Sequence, residues 1–216
     1  MNIFSMGAPG SGKGTFSSRI KEEFNLNHIS TGDIFRENIS KGTELGLQAK
    51  AYSEKGLLVP DEITNNMVKD FLNNLADKKN GYLLDGYPRT LDQALAFEEM
   101  TKGTDLAVER ILVMDVDNEV LTRRITGRRS CKKCGEIYNI YTKAPKVENV
   151  CDVCGSELSQ RKDDNEESLK VRLGEYAKNT EPVIAYYEKL NMVSTIDAST
   201  RTIEEIWTEV KDVLNK

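Results

Sequence analysis

Gly7-Ala-Pro-Gly-Ser-Gly-Lys13-Gly-Thr15 stands near the N-terminus, between a short apolar run and a segment of helical pattern. Glycines at this density let successive backbone N–H groups turn inward, and a helix N-terminus adds positive partial charge. Together they cradle phosphate oxygens. Lys13 ends the G-x-x-x-x-G-K spacing and reaches toward the outer phosphates of a nucleotide. The next residue is Gly14, where that pattern has a Ser or Thr to ligate magnesium, and Thr15 follows one place later. Magnesium is therefore expected to be held mainly by phosphates and water, as suits an ion that dehydrates reluctantly. Asp85, closing the apolar run Tyr-Leu-Leu-Asp, is the candidate to hold that water shell.

Two further groups carry chemistry. Cys131-x2-Cys134 and Cys151-x2-Cys154 each present two thiolates from a tight turn, with Gly135 and Gly155 placed to permit it. Four thiolates complete a tetrahedral zinc shell with no open position, so the metal is expected to be structural; iron can occupy the same set. Between Arg123 and Lys133 stand six basic residues and no acid, in a chain whose net charge is −5. Such a strip reads as phosphate-facing. His28 is the one histidine, expected as a surface or packing residue without a catalytic role.

These residues must be positioned by a scaffold. Apolar runs at 2–6, 28–30, 82–85, 110–115 and 192–196 read as strands, separated by longer amphipathic segments. The last of these carries Ile203, Ile206, Trp207, Val210, Val213 and Leu214 at helical spacing. Alternation of this kind implies an α/β fold with a five-stranded parallel sheet and helices on both faces. Two stretches break it: 31 to about 80, with interruptions at Gly42, Gly56 and Pro60, and 127 to about 161, with the cysteines. They read as insertions, the second nearly a small domain that its metal must stabilise.

With 216 residues, 38% of them apolar and 30% charged, the composition excludes collagen-like and disordered classes. No apolar run approaches the roughly 18 residues of a membrane span, and no charged segment precedes an apolar stretch as in a signal peptide. Paired cysteines without an export signal point to metal in a reducing, cytoplasmic setting. Acidic net charge disfavours general nucleic-acid binding.

The chain resembles adenylate kinase. The resemblance rests on GAPGSGKGT at 7–15, STGD at 30–33 with Arg36, LLDGYPRT at 83–90 with Gln93, RITGRR at 124–129, and RKDDNEESLKVRL at 161–173. It runs in order over nearly the whole chain, and the paired cysteines look like those of the bacterial long-lid type. It implies a core of 1–30, 61–127 and 162–216 that binds ATP, an AMP-binding insertion at 31–60, and a zinc-bearing lid at 128–161. On the ATP side it implies Gly10, Ser11, Gly12, Lys13, Gly14, Thr15, Arg124, Arg128, Ile137, Tyr138 and Thr200. On the AMP side it implies Thr31, Arg36, Leu57, Leu58, Val59, Gly86, Tyr87, Pro88, Arg89, Gln93, Arg161 and Arg172. Lys13, Arg36, Arg89, Arg124, Arg128, Arg161 and Arg172 form the implied catalytic set. Asp163 and Asp164 are expected to cap the following helix or to hinge the lid, and Tyr138 to pack near its hinge side. The implied reaction is ATP·Mg + AMP ⇌ 2 ADP in a monomer. Rival readings are a UMP/CMP kinase, a zinc-ribbon nucleic-acid binder, and a nucleotide-dependent switch, for which a second substrate site is surplus.

Overall fold

Parallel strands buried on both faces need near-continuous apolar sequence, and the central runs supply it, whereas the two edge strands are more polar and only partly buried. A computed structural model describes residues 1–75 and 78–216, so two residues of the second expected core segment lie outside it. The strands are β1 (Asn2–Gly7), β2 (Asn27–Ser30), β3 (Tyr82–Asp85), β4 (Arg110–Asp115) and, after three strands of a separate small sheet, β8 (Val193–Asp197). They pair in parallel in the order β2-β3-β1-β4-β8. All five expected runs agree with these strands to within one residue at each end. The last, β8, is displaced by one at both ends: Met192 stays outside while its carbonyl accepts from the Ile111 N–H.

Alternate residues of each strand feed opposite cores. Phe4, Tyr82, Leu84, Ile111 and Val113 pack with α4 (Asp61–Asn73), α5 (Leu91–Thr101) and α8 (Glu181–Lys189). Ile3, Leu83, Leu112 and Met114 pack with α1 (Lys13–Phe24), α6 (Asn118–Gly127) and α9 (Ile203–Leu214). The C-terminal stripe is a helix as its spacing requires, started by a reciprocal Thr202–Glu205 capping box. Ile206, Val210 and Leu214 are buried, and Trp207 is half-covered with the cations of Arg19 and Lys211 each 5.8 Å from its ring. No described helix is long and apolar enough to cross a membrane.

Both irregular stretches are insertions. The first holds α2 (Thr31–Lys41), capped by Ser30, and α3 (Glu44–Ser53), capped by Thr43. These helices touch closely at Gly46, where a Cβ would lie 2.1 Å from the Asn38 carbonyl oxygen. The second is an antiparallel sheet of β5 (Arg128–Cys131), β6 (Ile137–Asn139) and β7 (Leu158–Ser159), with β5 central. Its own core is only Cys131, Tyr138, Cys151 and Leu158, with Cys154 against it. From the lid the chain returns through α7 (Glu166–Glu175), which runs into α8 through one π-helical stretch, Tyr176–Thr180.

Candidate active site

In open parallel sheets, ligands gather at the carboxyl ends of the strands. The glycine-rich loop leaves β1 at that end and enters α1. Gly7 has φ +143°, and a Cβ there would sit 2.5 Å from the Met114 carbonyl oxygen, so only glycine lets the loop pass β4. Gly10 and Gly12 also take positive φ. Ser11 is buried within the turn, and Thr15 N–H donates back to the Gly12 carbonyl. Lys13 Nζ donates to the carbonyls of Gly7 and Ala8 at 2.7 and 3.0 Å. Burial, reinforced by Arg89, Arg172 and Arg128 and opposed by Asp85, lowers the Lys13 ammonium to about 8. A cation held below its usual range is complementary to an arriving anion, which would restore it.

A Cβ on Gly14 would come 3.8 Å from Asp85 Oδ2 and 4.0 Å from Ile137 Cδ1 of the lid. The space that a Ser or Thr side chain would enter is thus bounded by the Asp85 carboxylate. Burial raises the Asp85 pKa, and Lys13 counters it. Arg124 joins the loop to the end of β8, donating to the carbonyls of Ser11 at 3.3 Å and Ala198 at 2.7 Å. Thr200 is exposed in the turn that follows.

Across from Lys13, the same cleft is lined by Gly56, Leu58, Gly86, Pro88, Arg89 and Arg172. Arg89 Nε donates to the Gly86 carbonyl at 2.8 Å, and Thr31 Oγ1 donates to that same oxygen at 3.0 Å. Arg89 is exposed and lines the cleft. Burial and then Arg172 push it down to about 10. Arg161 falls to about 9 for the same reasons, burial first, then Arg128 and Arg36. Burial also lowers Arg172 and Arg124. These cations crowd one another, as they would around a polyanion.

Aspartates occupy several of them. Arg36 pairs with Asp33, and Arg172 with Asp163 at 3.0 Å. Arg128 grips Asp164 through two nitrogens, with Nε at 2.8 Å, and the Asp164 side chain is 0% exposed. The expectation that Asp163 or Asp164 caps the helix is corrected here: Asn165 caps α7, its side chain accepting from Ser168 N–H. A carboxylate used as an arginine partner 36 residues away is unavailable for a local turn.

Other expected contacts divide. Leu58 faces the cleft, Val59 is half-buried, and Leu57 is exposed with its N–H donating to Tyr52. Tyr87 is 0% exposed within the core, its single hydroxyl proton shared between Asn65 Oδ1 at 2.8 Å and Gln93 O at 3.0 Å. Its ring supports the site from below. Tyr138 likewise turns its ring into the cysteine cluster, opposite Arg129 in the β5–β6 pairing, with its hydroxyl accepting from Asp152 N–H at 2.8 Å. Gln93 is 2% exposed, and each end of its amide has a partner: Arg89 N–H at the oxygen and Asp61 at the nitrogen, both at 2.7 Å. Asp61 was not among the residues expected from the sequence, where the local signal was the interruption at Pro60 with the core resuming at 61.

The four cysteine sulfurs lie within 4.8 Å of one another, with Cys131–Cys154 at 3.4 Å and Cys134–Cys151 at 3.5 Å. Sulfurs 2.3 Å from a tetrahedral centre stand about 3.8 Å apart, so the set suits one tetrahedral metal ion. Each knuckle closes as the spacing requires, with Gly135 N–H donating to Cys131 O and Gly155 N–H to Cys151 O.

A family profile described as adenylate kinase matches residues 5–192. The adenylate kinase of Clostridium acetobutylicum is 46% identical over 216 residues, covering all of both chains. That of Caldanaerobacter subterraneus subsp. tengcongensis is 48% identical over 214 residues, 99% of this chain and 96% of its own. That of Archaeoglobus fulgidus is 44% identical over 216 residues, 100% and 99%. Likeness that runs from end to end, over a parallel sheet whose first strand opens into this phosphate loop, leaves one assignment: the chain belongs to the adenylate kinase family.

Proposed function

We propose that the protein transfers the terminal phosphoryl group of ATP·Mg to AMP, giving two ADP, reversibly. One observation carries this reading: a single cleft is lined by Lys13 of the phosphate loop and by Gly56, Leu58, Gly86 and Arg89 of the opposite wall, with Arg172 in common. Two phosphate-binding walls on one cleft suit transfer between two nucleotides better than a switch, which needs one.

The chemistry asks for alignment and charge. A phosphate monoester loses its second proton near pH 6, so the acceptor needs no general base. His28, whose Nε2 is buried without a hydrogen bond and whose pKa burial lowers, is assigned none. Lys13, Arg124 and Arg128 are assigned to ATP, with the loop from Gly10 to Thr15 on its phosphates. Arg36 and Arg89 are assigned to the AMP phosphate, and Arg161 and Arg172 to the group in transit. Thr31, Gly86 and Gln93 surround the acceptor nucleoside. At an effective dielectric of 20, unit charges 4 Å apart interact by about 4 kcal/mol, so several such cations offset the repulsion of two polyanions. The aspartates that hold Arg128 and Arg172 are exchanged for phosphate when nucleotides enter. Asp85, at the end of β3 beside Lys13, would hold the water shell of the magnesium that arrives with ATP.

The division into a core, an AMP-binding insertion at 31–60 and a lid at 128–161 belongs to this reading, as do a monomer and the cytoplasm. A coupled assay of ADP formation with AMP, GMP, CMP and UMP tests it. AMP should give the highest kcat/KM; equal values for AMP and CMP would return the UMP/CMP kinase.

The metal of the four cysteines is assigned as one structural zinc per chain. It supplies folding energy to a lid whose own core is four residues. Chelation, or Cys154→Ser, should therefore lower the unfolding midpoint by calorimetry. Activity assayed well below that midpoint should stay within about tenfold, whereas a catalytic ion removes several kcal/mol of barrier lowering. Metal-free protein with an ordered lid and no activity would contradict the assignment.

A further inference from the structure

We propose that Asp61 is a positioning residue that fixes which way round the Gln93 amide stands, and thereby the base that the acceptor site takes. The inference rests on the reading above, in which Gln93 meets the acceptor base. Asp61 opens α4, immediately after Pro60, where the insertion rejoins the core. Both of its oxygens are engaged: Oδ1 accepts from Gln93 Nε2 and Oδ2 from Thr90 Oγ1, each at 2.7 Å. Thr90 Oγ1 in turn accepts from Gln93 N–H at 3.1 Å and caps α5. The base-reading residue is thus gripped through both its side chain and its backbone.

A carboxylate only accepts and a backbone N–H only donates. Gln93 Oε1 must therefore face the Arg89 N–H, and Nε2 must face Asp61. Turning the amide would set oxygen against carboxylate and N–H against N–H in a site that is 2% exposed. In the held orientation one N–H and one oxygen lone pair remain for a ligand. Adenine presents the N6–H donor beside the N1 acceptor. Guanine presents the O6 acceptor beside the N1–H donor, the reverse order. An amide of fixed sense matches one order and opposes the other. Cytosine repeats the order of adenine, with N4–H beside N3, so amide orientation does not reject it and size must. Asp61 should therefore count against GMP and not against CMP, a pattern that general loosening of the site does not produce.

The test is kcat/KM for AMP, GMP and CMP in the full-length zinc-loaded protein, its Asp61→Asn variant, and both in a Gln93→Ala background. Asparagine keeps the shape of Asp61 but can donate to Gln93 Oε1, which removes the charged half of the constraint. The AMP-over-GMP ratio should fall at least about tenfold, the lower end for a hydrogen bond to a charged group. The fall should lie mainly in KM for the monophosphates, with the AMP-over-CMP ratio within about threefold of the parent and KM for ATP unmoved. In the Gln93→Ala background, Asp61→Asn should leave the AMP-over-GMP ratio alone. An unchanged ratio in Asp61→Asn, a parallel fall for GMP and CMP, or an effect that persists without Gln93 would each overturn the proposal. Asp61→Ser, which removes the carboxylate with less demand on volume, gives the same readout should the asparagine variant not fold. A parent enzyme that does not favour AMP would instead refute the acceptor assignment, and the two failures are told apart before any variant is compared.

Discussion

Arg89→Ala should lose at least about a hundredfold in kcat/KM with AMP, some 2.7 kcal/mol of transition-state stabilisation, without losing stability. The two halves of that result have one cause. Arg89 stands in the cleft opposite Lys13 and beside Arg172, its Nε on the Gly86 carbonyl. With no nucleotide present its charge is unfavourable, since enclosure and Arg172 both depress its pKa. Replacing it relieves crowding among cations, so the midpoint of the nucleotide-free protein should stay level or rise. In the proposed reaction the same charge would meet phosphate where negative charge is being moved, and preorganised charge counts most there. Steady-state kinetics and calorimetry on one preparation decide the matter. A variant that melts early and turns over normally would make Arg89 a structural residue.

The opposite balance is expected at Arg128. Its guanidinium makes two hydrogen bonds to Asp164, whose side chain is 0% exposed. Arg128→Ala strands that carboxylate, and breaking a buried pair from one side costs about 3–5 kcal/mol. Arg172, 3.9 Å away, remains as a second cation, which favours the low end, about 3 kcal/mol. For a chain of this size that is a fall in midpoint of roughly 6–12 °C. Asp164→Asn added to Arg128→Ala should recover at least half of the loss, because an uncharged amide is far less costly to leave unpaired. Activity should fall in both variants and not recover, since Arg128 is assigned to ATP. Equal stability of the single and double variants would show that the pair is not what holds this corner.

What could be read from the sequence divides along a physical line. The central strands were legible because both faces are buried and their runs are largely apolar, as in Tyr82–Asp85 and Arg110–Asp115, whereas the edge strands β2 and β8 each bury one residue and are more polar. The phosphate loop and the cysteine knuckles were legible because their geometry is local: Gly7 to Lys13, or a cysteine and its partner three places on. The counterions were not. Asp164 meets Arg128 across 36 residues, and Asp61 meets Gln93 across 32. Nothing in local spacing separates such an aspartate from a cap, and of the two roles expected for Asp163 and Asp164, cap or hinge, the cap belongs to Asn165 instead. The direction of a side chain was also hidden. Tyr87 and Tyr138 lie within stretches that carry the site, yet both rings point into packed interiors, because an aromatic ring gains more from burial than an open cleft offers.

The π-helical stretch between α7 and α8 has a consequence for how Arg172 can be aimed. Bonds from i to i+5 accommodate one more residue per turn than bonds from i to i+4, and one residue of an α-helix is about 100° of rotation. The continuous rod from Glu166 to Lys189 is therefore two helices set out of phase. The later one is locked by Val183 and Tyr187, both 0% exposed against the sheet. The earlier one presents Arg172 to the cleft, and Thr180, at the end of the offset, donates to the Arg89 carbonyl. The azimuth of Arg172 is thus set by how many residues lie between it and the sheet, and not by which residues they are. Removing one residue from Tyr176–Thr180 would leave every residue assigned above to the nucleotides in the sequence and swing this arginine about a quarter-turn away from the cleft.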